Sequence, residues 1–217
     1  MKIWTLAFAA LSFIPFTAHA QTSVDAANRF TGGILLQDTD YHSDGSYAVK
    51  GQLVEGGYKA AINPRFAIGG GVGLMFDGDI GRDHTIGSGE GFRLFGDAQY
   101  EFHRFNQNKI IGTGTLSFDR FSFSEAGTKV DFKATEFKIG GLFMHDVREF
   151  SLYGGLEIVL YSNASTQIHN ISEDAHRDDR LNVRLGATFN ATKNVALRAD
   201  LLLIGEQTIL FAADFAL

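Results

Sequence analysis

The sequence predicts an all-β fold, an up-and-down antiparallel transmembrane β-barrel of about ten strands, with eight strands as the alternative. Two patterns support this prediction: apolar and polar residues alternate along nearly the whole chain, and the connections alternate between short and long. The composition agrees, because 12% of the residues are aromatic while the only two prolines are Pro15 and Pro64. Few prolines leave the backbone donors available for strand pairing.

Residues 92–101 show the alternation most clearly. Phe92 and Leu94 share one face of an extended strand, whereas Arg93 and Asp97 share the other. Because successive side chains of a strand point to opposite faces, this pattern predicts one apolar and one polar face. The same reasoning predicts strands at about 28–37, 48–61, 65–76, 91–103, 108–120, 131–144, 149–161, 180–190, 195–204 and 207–217.

The predicted connections carry a second signal. They are tight near 63–64, 106–107, 146–148 and 192–194, and long and polar near 38–47, 77–90, 121–130 and 162–179. Outer-membrane barrels have short periplasmic turns and longer outer loops, so an even number of strands places both termini in the periplasm. The connection at 205–206 departs from this pattern, because it should be an outer loop and is short.

The polar faces of the strands carry many ionisable residues. Each Arg or Lys that faced the hydrocarbon near its midplane would cost about 2–4 kcal/mol, so we expect these residues to face the barrel interior. Acidic and basic residues are both present, and mutual pairing is the least costly way to bury them. The predicted lumen charge network comprises Arg93, Asp97, Glu101, Glu136, Lys138, Glu157, Arg184, Arg198 and Asp200.

A soluble barrel or sandwich, similar to a lipocalin, is the competing architecture. It would place the Phe and Leu side chains in a central core and the charges in water, and periodicity alone does not exclude it. The apolar, aromatic-rich faces of nine or ten strands are more than the interior of a narrow barrel would hold. A soluble barrel would also leave the alternation of loop lengths unexplained. The transmembrane barrel is therefore the preferred interpretation.

The N-terminus predicts export. Lys2 precedes an apolar run over residues 3–16, and residues 18–20 read Ala-His-Ala, the small-x-small pattern at which signal peptidase cleaves. We therefore predict a signal peptide at 1–20 and an outer-membrane barrel domain at 21–217. An uncleaved anchor is the alternative, but the run is shorter than the about 20 apolar residues of a spanning helix.

Two further properties of the composition exclude classes of function. The chain has no cysteine, so it offers no disulfide framework, thiolate metal site or lipidated cysteine. Its formal net charge of −6 provides no basic field for phosphates, so no nucleic-acid partner is expected.

The last strand carries the most specific motif. Apolar or aromatic residues alternate up to the last residue, at Ile209, Phe211, Ala213, Phe215 and Leu217. In this motif and in its general pattern the chain resembles the small outer-membrane barrels of the OmpA-like, OmpX-like and opacity-protein group. The resemblance implies that Phe211, Phe215 and Leu217 form an assembly signal for the barrel assembly machinery. That group usually ends in Phe and has eight strands, and this sequence departs from both features.

These observations favour a structural or surface-interaction function in the outer membrane, such as envelope integrity or adhesion. A narrow porin-like channel for small solutes is the alternative, and an envelope-lipid-modifying enzyme is the third possibility. No catalytic residue, metal or cofactor is predicted. Ser162 lacks an adjacent base, since position 160 is Leu, and His103 is expected to cap a polar network on the lumen face.

The expected partners are outer-membrane lipids, including lipopolysaccharide, while the oligomeric state is left open. The mixed-charge run at 173–180 lies in the longest predicted loop, where it would ordinarily be solvated. Its Arg177 and Arg180 could contact lipopolysaccharide phosphates, or its carboxylates could bridge those phosphates through divalent ions.

Overall fold

A computed structural model describes residues 28–43, 46–81, 85–168 and 171–217, and the predicted signal peptide lies outside the described residues. Within these residues, ten long strands and two short ones form a single antiparallel sheet. The strands are β1 (Arg29–His42), β2 (Ser46–Asn63), β3 (Phe66–Gly81), β4 (Thr85–Ile86), β5 (Glu90–Phe105), β6 (Asn108–Glu125), β7 (Thr128–Val147), β8 (Phe150–Ile168), β9 (Ile171–Arg177), β10 (Leu181–Asn190), β11 (Val195–Ile204) and β12 (Glu206–Ala216).

The sheet closes on itself into a barrel. The long strands pair with their neighbours in chain order, with β3 next to β5 and β8 next to β10, and β12 pairs with β1. The first and last described residues meet, because the amide of Leu217 donates to the carbonyl of Asn28 at 3.0 Å. The predicted ten-stranded, up-and-down antiparallel barrel is therefore confirmed.

No helix in the described part of the chain is long and apolar enough to cross a bilayer.

The outward face carries an apolar belt. Leu74 and Leu156 are 59% and 53% exposed, which would be costly in water for so many large side chains together. Other exposed apolar side chains around the wall are Phe30, Ile34, Leu36, Val54, Tyr58, Ile68, Val72, Leu94, Tyr100, Ile110, Leu116, Phe118, Phe137, Ile139, Phe143, Phe150, Leu152, Ile158, Leu160, Leu185, Leu201, Leu203, Phe211 and Phe215. We call this part of the barrel the belt tier. It extends from the chain termini to Leu36 on β1, Val54 on β2, Phe118 on β6 and Phe137 on β7.

Several strands are much longer than the belt. β7 has 20 residues and β8 has 19, whereas β10 and β11 have 10 each. At about 3.3 Å per residue and a tilt of roughly 40°, 20 residues climb about 50 Å and 10 residues about 25 Å, the usual height of an apolar belt. The long strands therefore continue beyond the belt and form an upper tier.

Of the strands that the structure describes, eight reach the upper tier and ten form the belt tier. β9 lies between β8 and β1, where Ala175 pairs with Ala164 and Arg177 pairs with Tyr41. On the other side β4 pairs with β3, and the Ser124 amide of β6 donates to the carbonyl of Gly87, just after β4, at 3.1 Å. β10, β11 and β12 end below this level, and β5 begins near its lower edge, so the barrel narrows.

The polarity of the wall reverses between the two tiers. On β2, the outward residue Lys50 is exposed and polar, whereas Val54 is exposed and apolar. The inward residues change polarity in the opposite sense. Val49 and Leu53 in the upper tier are apolar and fully buried, whereas Glu55, the next inward residue below them, is charged. The upper tier thus has an apolar interior and a polar exterior.

Buried apolar side chains fill the upper interior. We call this cluster the apolar plug, and its buried members are Leu35, Tyr41, Val49, Leu53, Met75, Ile80, Phe121, Phe123, Val130, Phe132, Ala134, Ala164 and Ala175. The rings of Phe121 and Phe132 stack with centroids 6.2 Å apart and planes at 11°. Tyr41 contacts Phe132 edge to face at 5.1 Å. An eight-stranded barrel is just wide enough for its own side chains to fill it, which explains why the plug occurs in the upper tier.

The predicted long loops are wrong in large part. Residues 38–42 and 46–47 continue β1 and β2, and residues 121–125 and 128–130 form the end of the β6–β7 hairpin. That hairpin turns at Ala126 and Gly127, whose φ values of 49° and 87° fit a two-residue turn with both φ positive. Polar residues on the outer face of the upper tier give these segments the composition of loops, although their inward residues are apolar.

Candidate functional site

The belt-tier interior holds the ionisable side chains. All nine residues of the predicted lumen charge network are directed inward, and the most buried of them are Asp200, Glu101, Glu136 and Glu157, at 1–5% exposure. The network is divided into separate clusters that follow one another down the barrel. Seven of the nine residues line one central cavity, while Glu136 lies above it and Glu101 lies near the turn between β5 and β6.

The uppermost cluster lies directly beneath the apolar plug, and we call it the Arg177 cluster. Lys138 Nζ lies 2.6 Å from Glu206 Oε2 and 3.2 Å from Glu136 Oε2. The Arg177 guanidinium lies 3.4 Å from the same Glu206 oxygen and 3.6 Å from Glu136 Oε1. Two cations therefore neutralise two carboxylates that are both nearly inaccessible to solvent.

Tyr41 joins the Arg177 cluster to the apolar plug. Its hydroxyl donates to Glu136 Oε1 at 3.1 Å, and the Arg177 guanidinium lies 5.8 Å from the centre of its ring. Burial, followed by the nearby Glu136 carboxylate, raises the pKa of Tyr41 well above its ordinary value. The phenol therefore stays protonated and remains a donor at neutral pH.

A second cluster is centred on Arg93. Its guanidinium binds Asp119 through two parallel bonds of 2.7 and 2.8 Å and donates to Gln37 Oε1 at 2.6 Å. Glu55 lies farther away, at 3.7 Å. The bidentate geometry is the strongest form of an Arg–carboxylate pair.

A third cluster is centred on Asp200, which is 1% exposed. Arg184 Nη2 lies 3.0 Å from its Oδ1, and Arg198 Nε lies 3.3 Å from its Oδ2. The Tyr153 hydroxyl donates to Oδ1 at 2.6 Å. One carboxylate thus holds two guanidinium groups together, so its removal would leave two like charges side by side.

The remaining predicted residues form smaller contacts. Asp97 binds Lys59 Nζ at 2.6 Å, and Glu157 accepts a hydrogen bond of 3.3 Å from Asn182. Glu101 does not join the central clusters, because it forms a local pair of 2.7 Å with Arg104 near the β5–β6 turn.

A cavity of about 200 Å³ remains between these clusters. Its charged lining is balanced, with five basic and five acidic side chains: Lys59, Arg93, Lys138, Arg184 and Arg198, and Glu55, Asp97, Glu157, Asp200 and Glu206. The ring of Phe95 also lines it and lies against Gly57 and Gly71, where any Cβ would crowd the ring. A smaller cavity of about 80 Å³ lies nearer the termini and shares Lys59, Arg184 and Arg198 with the first.

Arg177 was misinterpreted from the sequence. It is 1% exposed and points into the barrel, so it does not offer its charge to lipopolysaccharide phosphates, whereas Arg180 is exposed. Sequence reasoning also missed Glu206 and Tyr41. The alternation within residues 174–178, where Ala175 and Arg177 share a parity, is the signal that could have found Arg177.

The two side chains considered for catalysis lie apart. His103 follows a bulge after Glu101, is exposed, and stacks on Phe105 with ring centroids 5.6 Å apart. The expectation that His103 faces the lumen is therefore wrong. The bulge shifts the register of β5 by one residue, so the side chains that follow it point to the opposite face. Ser162 lies within β8 and donates to Glu136 at 3.4 Å, so it belongs to the margin of the Arg177 cluster.

The residues of the predicted assembly signal all lie on the outer surface. Phe211 and Phe215 are 58% and 47% exposed on the outward face of β12, and Leu217 is 75% exposed just beyond this strand. They belong to the apolar belt near the seam that β12 forms with β1.

Comparison with known proteins supports the architecture. No protein-family model matches the sequence, and no curated protein matches it. Among solved structures the chain is similar to the outer membrane protease OmpT from Escherichia coli, with a TM-score of 0.59 and 10% identity over 91% of this chain and 99% of that one. It is also similar to the β domain of the Bordetella autotransporter BrkA, with a TM-score of 0.50 and 11% identity over 89% and 100% of the two chains.

These likenesses show the fold and not a shared activity, because the identities are far below 25%. The chain has the fold of an outer-membrane β-barrel, as the sequence predicted. The apolar belt and the charged interior are the physical features that this fold requires in a bilayer.

Proposed function

We propose that the chain is a closed outer-membrane barrel with a structural and surface-interaction function, and that its upper tier projects from the cell. The observation that carries this proposal is the apolar plug above the Arg177 cluster. A water-filled pathway through the upper tier would have to displace Phe121, Phe123 and Phe132, which are each no more than 1% exposed. The proposal also includes export by the predicted signal peptide.

The shape of the upper tier supports a presenting function. Its described strands pair with one another and pack on an apolar core of their own, so the outer face of these strands is held in a fixed form. Rigid surfaces lose less conformational entropy on binding than mobile loops do. We propose lipopolysaccharide and other outer-membrane lipids as partners at the belt, and the barrel assembly machinery as the partner of β12 during insertion.

Conductance in planar bilayers tests this proposal. We expect the wild-type barrel to be silent, whereas replacing the three plug phenylalanines together by alanine should produce measurable current. The matched control replaces Phe118 and Phe137, which face outward in the belt and should leave the bilayer silent. Heat-modifiable migration on SDS gels verifies that each variant is folded.

Steady current through the folded wild-type barrel would contradict the proposal. It would favour the narrow channel, for which the central cavity with its balanced charged lining is the supporting observation. In that case replacing Arg93 or Lys138 should alter ion selectivity, because both line the cavity.

A further inference from the structure

The outer face of the upper tier carries a basic pair at its lower edge. Arg120 on β6 and Lys133 on β7 lie directly opposite each other in the register, and both are exposed. Their neighbours Phe121 and Phe132 are buried in the plug, so the two charged side chains point outward. Phe118, two residues below Arg120 on the same face, is 39% exposed and belongs to the belt. The pair therefore lies where the belt ends.

This pair brings two cations together on neighbouring strands. Like charges directly opposite each other on two strands are destabilising. Among the described residues, no ion pair joins either cation to a carboxylate. Asp131 lies on the same face, but it accepts a hydrogen bond of 2.7 Å from Ser122 and pairs with Lys129 at 3.3 Å. On β6 and β7 alone, Arg120, Lys129 and Lys133 against Asp131 leave a net charge of +2. The flanking strands add one outward carboxylate on each side, Glu90 opposite Ser122 and Asp174 opposite Ser165.

We propose that Arg120 and Lys133, assisted by Lys129, bind the phosphate groups of a phosphorylated glycolipid headgroup in the outer leaflet. The inference rests on the proposed function, since it requires the belt to lie in the bilayer with the upper tier outside. Anionic headgroups begin at the height where the apolar belt ends, and basic residues there are attracted to them. The Arg120 guanidinium can bind a phosphate in a bidentate manner, while the two ammonium groups act as point charges.

The wall formed by β1 to β3 provides the contrast. At the same boundary its outward residues include Asp38, Asp40 and Asp77, and the one lysine, Lys50, already pairs with Asp38 at 3.4 Å. Partial burial, followed by repulsion from Asp38 and Asp178, raises the pKa of Asp40. This wall disfavours phosphate, so of these two walls the β6–β7 face is the one suited to the lipid site.

The test measures lipid binding to the folded full-length barrel in detergent. The probes are bis-phosphorylated lipid A, the same lipid after enzymatic dephosphorylation, and inorganic phosphate. Bound lipid is counted by native mass spectrometry and its dissociation constant is obtained by titration. The variant is R120Q/K133Q, and the matched control is K50Q on the opposite wall.

We expect wild type and K50Q to bind phosphorylated lipid A equally, and R120Q/K133Q to bind it about tenfold or more weakly. Dephosphorylated lipid A should bind all three proteins as weakly as the double variant binds the phosphorylated lipid. Equal binding of phosphorylated lipid by wild type and the double variant would overturn the inference. Equal affinity for inorganic phosphate and for lipid A would also overturn it, by assigning the site to a soluble anion.

Failure of this inference is distinguishable from failure of the proposed function. If the variants remain heat-modifiable and silent in planar bilayers while lipid binding is unchanged, only the lipid site is wrong. If the wild type conducts, the proposed closed barrel is wrong, whatever the lipid binding shows.

Discussion

Strand β2 changes polarity on both of its faces within a few residues. On the outward face polar Lys50 is followed by apolar Val54, and on the inward face apolar Val49 is followed by charged Glu55. The belt tier and the upper tier are therefore built from continuous strands with opposite arrangements of polar and apolar side chains. Strand geometry is the same in both, so it does not cause the difference. The proposed position in the outer membrane accounts for it, since hydrocarbon around the belt would select apolar residues and water around the upper tier would select polar ones.

The two interiors differ for a second reason, which is the number of strands. Ten strands enclose more space than side chains fill, and the central cavity of about 200 Å³ is the remainder. Polar groups that line such a space can be hydrated and paired. Eight strands leave no such space, and apolar side chains fill the interior. The Arg177 cluster lies where the two arrangements meet, and it satisfies its charges within the protein.

We call the boundary between the belt tier and the upper tier, where the Arg177 cluster lies, the junction. Replacement of Arg177 by methionine should have the largest effect on its stability. Of the described cations, Lys138 alone would then remain paired with Glu136 and Glu206. Breaking a buried ion pair on one side costs about 3–5 kcal/mol. We expect the free energy of unfolding to fall by about 4 kcal/mol, as measured by urea titration in detergent with circular dichroism. R180M is the control, since Arg180 is exposed and should change the value by less than about 0.5 kcal/mol. Equal stabilities of R177M and R180M would show that the cluster contributes nothing to the junction.

Two substitutions on β2 test the reversal of polarity directly. Leu53→Glu places a carboxyl group without a partner in the apolar plug, and we expect a loss of about 3 kcal/mol from burial and desolvation together. Glu55→Leu, two residues lower on the same inward face, should cost only about 1 kcal/mol, because Arg93 keeps its two bonds to Asp119. The same unfolding titration measures both. A larger loss for E55L than for L53E would contradict the assignment of the two interiors.

Much of the fold followed from the sequence, because alternation acts within each strand. The ten predicted strands correspond to the ten long strands, and the expected inward direction of residues such as Arg93 and Asp200 followed from parity. The strand ends were harder to predict. Phe121 and Phe123 alternate with Ser122 and Ser124, but this short apolar face lies in a segment whose outer residues give it the composition of a loop.

The junction could not be predicted, because it depends on contacts between distant segments. β11 and β12 are joined by a short turn before Glu206, so they end below the upper tier. This leaves a space between β8 and β1, and β9 occupies it as a strand. Nothing local in residues 171–177 shows that such a space exists. The partners of Arg177 lie 41 and 29 residues away along the chain, at Glu136 and Glu206. Long-range pairings of this kind are visible only when the sheet has closed.

The smallest predicted effect concerns the outer face of the upper tier, which should behave as an ordinary water-exposed sheet. The Ser122 hydroxyl, assisted by Lys129, lowers the pKa of Asp131. Ser122→Ala should therefore raise that pKa toward its ordinary value. A carboxylate with a depressed pKa stabilises the fold above the unfolded pKa of about 4, and this contribution is lost as the pH falls through the folded pKa. Acidification should thus destabilise wild type slightly more than S122A.

The measurement is a carbon-13 titration of the Asp131 carboxyl group by NMR, with S124A as the control on the same face. Because the Asp131 side chain is 43% exposed, water and salt screen the interaction, and added salt should reduce the difference between wild type and S122A. Identical titration curves for wild type and S122A would show that the hydrogen bond of 2.7 Å does not persist in solution. The outer face of the upper tier would then be more mobile than its apolar core implies, and the fixed form proposed for its surface would lose its support.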